Sequence, residues 1–266
     1  MSQPGTNEIE LPEAKALIDR FYDVGMMVYF FATIIKCTFS RPFYFMRLVD
    51  QIRALGLGSI SITIVIGLTM GLVMTLNFGY GLAKFGGVLY VPAVVSLSLA
   101  REMAPIFTSL LVAGRIGSGM AAEIGSMNVT QQVDAIRALG TNPVRVLVVP
   151  RFWSAVISLP LLTSLSCFLG ILGGMVVCQN EFGMPPGFYI NKVLDTVMIH
   201  DFLSGMVKSG IFGAIIAIVG CWRGLATVGG TRGVGESTTW VVVTSSIAIL
   251  ITDFFISKIF LLIWGH

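Results

Sequence analysis

The chain has 266 residues, of which 55% are hydrophobic and only 12% charged, and its mean hydropathy is +0.86. A soluble domain carries about 25% charged residues, so this chain cannot cover a water-facing surface of its size, and an ordinary soluble enzyme is excluded. The net charge of +3 is what basic loops on one side of a membrane produce, and it does not indicate nucleic-acid binding.

The N-terminus, MSQPGTNEIELPEAK, is polar and acidic. It lacks the basic start and adjacent apolar core of a cleavable signal. Residues 24–35 are apolar but only twelve in number, too few to cross a bilayer. Basic residues flank them, Arg20 before and Lys36, Arg41 and Arg47 after. Residues 14–55 are therefore expected to form helices lying on or dipping into the cytoplasmic leaflet. The alternative is a short sixth span.

Beyond this point, apolar runs separated by Gly, Pro and charge predict five transmembrane helices, near 58–80, 88–118, 148–178, 200–222 and 239–262. No Asp, Glu, Lys, Arg or His lies between Arg53 and Lys84, or between Arg151 and Glu181, and each run exceeds the roughly 20 residues that span a bilayer. Helices are expected because an open sheet edge leaves backbone groups unsatisfied in lipid. The fold class is thus an all-α polytopic membrane protein, with 1–57 as a cytoplasmic and interfacial N-terminal region and 58–266 as the membrane domain. Pro92, Pro105, Pro150 and Pro160 are natural bend points. Gly67 and Gly71, Gly213 and Ala217, and Gly220 and Gly224 recur at the four-residue spacing that lets helices pack closely.

Orientation follows from the basic residues. With the N-terminus inside, the cytoplasmic side holds Lys15, Arg20, Lys36, Arg41, Arg47, Arg53, Arg115, Arg137, Arg145, Arg151, Arg223 and Arg232, against Lys84 and Lys192 outside. This bias predicts a cytoplasmic N-terminus and a C-terminus on the outer side.

Between the second and third spans, the sequence carries helix punctuation. Asn128 is a candidate N-cap, Gly140 a candidate C-terminal stop, and Pro143 follows. Val129, Val133, Ile136 and Leu139 form one apolar stripe, with Thr130, Gln131, Asp134 and Arg137 around it. The spacing predicts an amphipathic helix of about twelve residues on the basic side. Such a helix either rests on the membrane surface or fits a groove on a cytosolic partner. The chain has no G-x-x-x-x-G-K-[ST] motif, so ATP use would require a separate subunit.

Several stretches resemble the MlaE or YrbE permease family of MCE-type lipid ABC transporters: LAREMAP (99–105), AGRIGSGMAAEIGSM (113–127), VTQQVDAIRALGTNPVR (129–145), VPRFWSAVISLPLLT (149–163), KS (208–209) and SSIAILITDF (245–254). The resemblance runs from about residue 40 to the C-terminus. It implies a non-catalytic, homodimeric permease in the bacterial inner membrane, two cytoplasmic ATPase subunits, and a periplasmic membrane-anchored MCE-domain protein. It also implies that residues 127–140 form the coupling helix on the ATPase, with Val129, Gln132, Val133, Ile136, Arg137 and Leu139 as its contact residues. Phospholipid is the implied cargo, with a sterol or another apolar molecule as the alternative in related systems. No cofactor is implied.

Ionisable groups within spans are the candidates for function, since each is costly there. Arg101 and Glu102 fall within the second span and Lys208 within the fourth. A guanidinium suits a phosphate because it offers several donors in a fixed fork. Arg101 is therefore the candidate headgroup contact, in a water-accessible cavity at a dimer interface. Glu102 either orients Arg101's counterpart or pairs with Lys208. The bland reading of all three is a structural ion pair. Asp253 reads as a buried partner for a backbone or hydroxyl group, and Arg115 with Glu123 as anchors of the elbow before the amphipathic helix. For acyl chains, the late part of span one supplies Leu72, Val73, Leu76 and Leu82, with Asn77 and Tyr80 as a polar rim. These residues are equally suited to simple packing.

The four cysteines lack metal-type spacing, and two histidines are too few for a His-based metal site. An intramembrane lipid enzyme is disfavoured by the lack of paired carboxylates or a nucleophile motif. A secondary transporter is disfavoured by the lack of internal repeats.

Overall fold

Among the described residues, five helices are long and apolar enough to cross a membrane. The computed structural model describes residues 12–39 and 45–264, and among these there is no strand. The elements are α1 (Pro12–Thr38), α2 (Phe45–Ala83), α3 (Val88–Val129), α4 (Gln132–Ala138), α5 (Val144–Phe182), α6 (Pro186–Thr196), α7 (Ile199–Leu225) and α8 (Gly230–Trp264). The spans are α2, α3, α5, α7 and α8. This is a multi-pass membrane protein.

The helices overrun the predicted spans at their ends. α2 starts at Phe45 because the segment FMRLVDQI continues through a π-turn, Arg53–Leu57, into the apolar run. A change from polar to apolar composition is not a helix stop, and no Pro intervenes. Of the basic residues used for orientation, Arg41 lies outside the described residues. The apolar part of α1, Gly25–Thr38, is too short to span. Its contacts fall at one end of the bundle. Ile34 is fully buried among Phe152, Phe212 and their neighbours, and Trp153 Nε1 donates to Thr38 Oγ1 at 3.1 Å.

Close packing holds α2 against α5. The buried face of α2 is Ser59, Thr63, Gly67, Gly71, Thr75 and Gly79, a run of small residues at steps of four. A Cβ on Gly67 would meet Ser166, and one on Gly71 would run into the Gly170 carbonyl. Without a hydrophobic drive between helices in lipid, such contact of backbones is what holds a bundle together. The other two predicted small-residue pairs also lie at crossings. Gly213 packs on the Ala155 carbonyl of α5, Gly220 on Gly117 of α3, and Gly224 on Ile124. α8 is the least covered span, with Val243, Ile247, Leu250, Ile251, Phe254 and Phe255 exposed.

At the end of the bundle opposite α4, α5 stops at Gly183, whose φ of +62° suits a residue without a Cβ. α6 then folds back over α5. Tyr189 is buried, and its hydroxyl donates to the Ile171 carbonyl at 3.1 Å. Burial, with the Cys178 thiol a smaller influence, pushes this phenol above its ordinary range, so it stays neutral.

Candidate functional site

α3 does not cross the membrane as a regular α-helix. Leu99–Met103 form a π-turn in which the Ala104 N–H reaches the Leu99 carbonyl, and Pro105 follows. Pro105 has no N–H to give the Arg101 carbonyl four residues back. Lys208 Nζ of α7 lies 3.2 Å from that oxygen. Gly205, one turn earlier on α7, lets the two helices come this close, since a Cβ there would run into the Ala100 carbonyl. Backbone irregularity within a span is tolerated where other protein groups satisfy it, and here a lysine does so.

The same ammonium gathers three more groups. Its nitrogen is 2.7 Å from Glu102 Oε2, 2.7 Å from Ser257 Oγ and 3.3 Å from Asp253 Oδ1. The last is a charge contact without hydrogen-bond geometry. Ser257 also donates to Glu102 Oε2, at 3.2 Å. Lys208 is 1% exposed, a burial that only such pairing makes tolerable. Arg101 does not pair with its neighbour Glu102. Its Nε donates to Asp201 Oδ1 at 2.6 Å, while Asp201 Oδ2 accepts from the Met198 N–H at the start of α7. His200 Nε2 lies 3.4 Å from Asp201 Oδ1.

These groups border a cavity of about 260 Å³, lined by Leu97, Arg101, Glu102, Asp201, Lys208 and Ser257 among others. The arrangement can hold a charged group of a ligand. Arg101 and Glu102 are 38% and 36% exposed, and so within reach of a ligand, while Lys208 and Asp201 behind them are buried. The cavity lies between the middle of α3, the start of α7 and the end of α8. That is the α6 side of the bundle, away from α4.

The structure thus brings Arg101, Glu102 and Lys208 together and pairs Glu102 with Lys208. It also places beside them residues that sequence reasoning left out, among them Asp201, His200, Ser204 and Ser257. Asp201 sits in the first turn of a span, where an acid has an ordinary local explanation, so its pairing with Arg101 leaves no signal in the sequence. Asp253 meets the lysine rather than a hydroxyl or backbone donor. Leu72, Leu76, Asn77 and Tyr80 do not line this cavity. Leu72 faces Gly173 of α5, Asn77 Nδ2 donates to its own helix at the Val73 carbonyl, and Tyr80 donates to Glu181 Oε2 at 3.1 Å. A separate apolar groove of about 440 Å³ runs between α2 and α3, past Met70, Val73, Met74, Met103, Phe107 and Leu111.

The elbow between α3 and α5 also differs from expectation. The predicted twelve-residue helix is broken. α3 runs on to Val129, Gln131 takes a left-handed φ of 59°, and α4 is the seven residues Gln132–Ala138. Asn128 is not a cap, because its Nδ2 donates to the Thr227 carbonyl at 3.0 Å and ties the elbow to the end of α7. Gly140 does follow the helix with φ +73°. Val133 is fully buried against Val146 and Leu147 with Ile136 beside it, while Val129, Gln132, Arg137 and Leu139 are exposed, and Arg137 bonds Asp134 at 3.0 Å. Glu123 pairs with Arg151 at 2.9 Å rather than with Arg115, whose guanidinium lies against Gly58.

The family model described as permease MlaE matches residues 48–259. This chain belongs to the MlaE permease family. It is 43% identical over 209 residues to the probable ABC transporter permease protein slr1045 of Synechocystis, covering 79% of this chain and 80% of that one. A probable ABC transporter permease protein of Rickettsia bellii is 35% identical over 237 residues, 89% of this chain and 92% of its own. The chloroplastic protein TRIGALACTOSYLDIACYLGLYCEROL 1 of Arabidopsis thaliana is 31% identical over 256 residues, 96% and 73% of the two chains. The MlaE-family chain described here is accordingly a membrane permease. Membership among ABC transporter permeases implies an ATPase partner.

Proposed function

We propose that this permease works as a homodimer in the bacterial inner membrane and moves phospholipid between that membrane and a periplasmic MCE-domain protein. A cytoplasmic ATPase dimer docks on the elbow through the exposed residues Val129, Gln132, Arg137 and Leu139, while Val133 and Ile136 seat α4 on the bundle. The N-terminus is cytoplasmic and the C-terminus periplasmic. Nucleotide binding closes the ATPases, α4 transmits the movement through α3 and α5, and the dimer cavity narrows around the lipid.

The observation that carries this reading is the charged cluster in the membrane-embedded part of α3, α7 and α8, with Arg101 and Glu102 open to a cavity. A purely structural ion pair gains nothing from that opening. Charges within a span are costly enough to call for a role, and a guanidinium is the side chain best suited to a phosphate. The lipid in the name of the Arabidopsis relative is consistent with a lipid cargo. Leu72, Leu76, Asn77 and Tyr80 contact the acyl chains only in a dimer that brings this part of α2 to the cavity.

Mass spectrometry of the lipid that co-purifies with the permease tests the assignment. Wild type retains phospholipid, and Arg101→Ala retains about tenfold less, the loss of one charge-assisted contact. Equal retention by the two proteins contradicts the headgroup role.

A further inference from the structure

Basic and acidic side chains alternate around the cavity, Arg101 against Asp201 and Lys208 against Glu102. Within a span, where charge is poorly screened, each charge on a bound ligand calls for a partner of opposite sign.

The unused atoms are complementary in the same way. Arg101 spends Nε on Asp201 and leaves both Nη groups without a partner among the described residues. Glu102 gives Oε2 to Lys208 and Ser257, and among the described residues no donor reaches its Oε1. Two donors on a cation and one anionic acceptor thus sit on consecutive residues of α3, at the wall of one cavity. A phosphate joined to an ammonium through two methylene groups presents the matching pair. The cavity, at about 260 Å³, is smaller than the roughly 300–1,000 Å³ of pockets that enclose whole drug-sized ligands. It has room for a headgroup but not for the acyl chains.

We infer that this cavity selects a zwitterionic aminophospholipid headgroup, with its phosphate on the Arg101 Nη groups and its ammonium donating to Glu102 Oε1. The inference rests on the phospholipid reading above and adds the headgroup class. A primary ammonium has N–H groups to donate, whereas a trimethylammonium has none. Phosphatidylethanolamine is thus favoured over phosphatidylcholine as well as over phosphatidylglycerol.

Purified permease equilibrated with an equimolar mixture of these three lipids, of identical acyl chains, provides the test, with retained lipid read by mass spectrometry. Phosphatidylethanolamine is enriched about tenfold over each competitor, the effect of one hydrogen bond to a charged group. Glu102→Gln moves both ratios toward one. The competition among headgroups needs only the wild-type protein, so a poorly folding variant leaves the test intact. Equal retention of the three lipids, or an excess of phosphatidylglycerol, overturns the headgroup selection and leaves the phospholipid reading standing. Retention of no phospholipid at all overturns both.

Discussion

Lys208 is the residue on which the membrane-embedded cluster depends. It satisfies the Arg101 carbonyl that Pro105 leaves open and pairs with both Glu102 and Asp253. Removing one partner of a buried ion pair leaves uncompensated charge, at a cost of about 3–5 kcal/mol. Lys208→Met is therefore expected to lower the thermal stability of the detergent-solubilised protein, and adding Glu102→Gln is expected to recover part of the loss. A Lys208→Met protein as stable as wild type contradicts this account. At this scale the sequence reveals which residues are exceptional but not how they pair. Arg101, Glu102 and Lys208 stand out because charge is rare in a span. Asp201 and Ser257 do not, because an acid in a first turn and a serine in a helix have ordinary local explanations. Only the crossing of α3, α7 and α8 brings them together.

Among the elements, α2 and α5 show how much a small-residue spacing reveals. Gly67 and Gly71 are visible as a pair. That the pattern continues through Ser59, Thr63, Thr75 and Gly79 emerges only once α5 covers that face. Gly71→Ala places a methyl group into the Gly170 carbonyl and is expected to destabilise by about 1–3 kcal/mol. Gly81→Ala, where a Cβ meets nothing within 4 Å, is expected to leave the melting temperature unchanged or raised. A thermal-shift comparison of the two variants checks this.

The elbow illustrates the opposite case. Its apolar stripe predicts one helix, yet Asn128 bonds across to Thr227 and Gln131 turns left-handed, so the stripe is divided. Long-range hydrogen bonds of this kind leave no periodic trace in a sequence. The division separates two roles that substitution can test. Val133→Ala, at a buried site, is expected to lower stability by about 1–2 kcal/mol. Leu139→Glu, at a residue 82% exposed, is expected to leave stability alone and to weaken co-purification of the ATPase. A Leu139→Glu protein that holds its ATPase as wild type does contradicts docking at that residue.

For the whole molecule, the scarcity of charge that excludes a soluble protein also orders the membrane one. Five spans are legible from apolar runs because lipid imposes length and composition together. Their ends are less legible, since α2 and α8 continue as helices into polar sequence. The basic residues predict an orientation that fusion reporters check. An alkaline phosphatase fused to the C-terminus is expected to be active in the periplasm, and one fused to the N-terminus inactive. The most direct test of the central claim is transfer of fluorescent phospholipid from proteoliposomes holding the permease, its ATPase and the MCE-domain partner. Transfer is expected to require ATP and to fall about tenfold in Arg101→Ala, the worth of one charge-assisted contact. Transfer that proceeds equally without ATPase or nucleotide would contradict it.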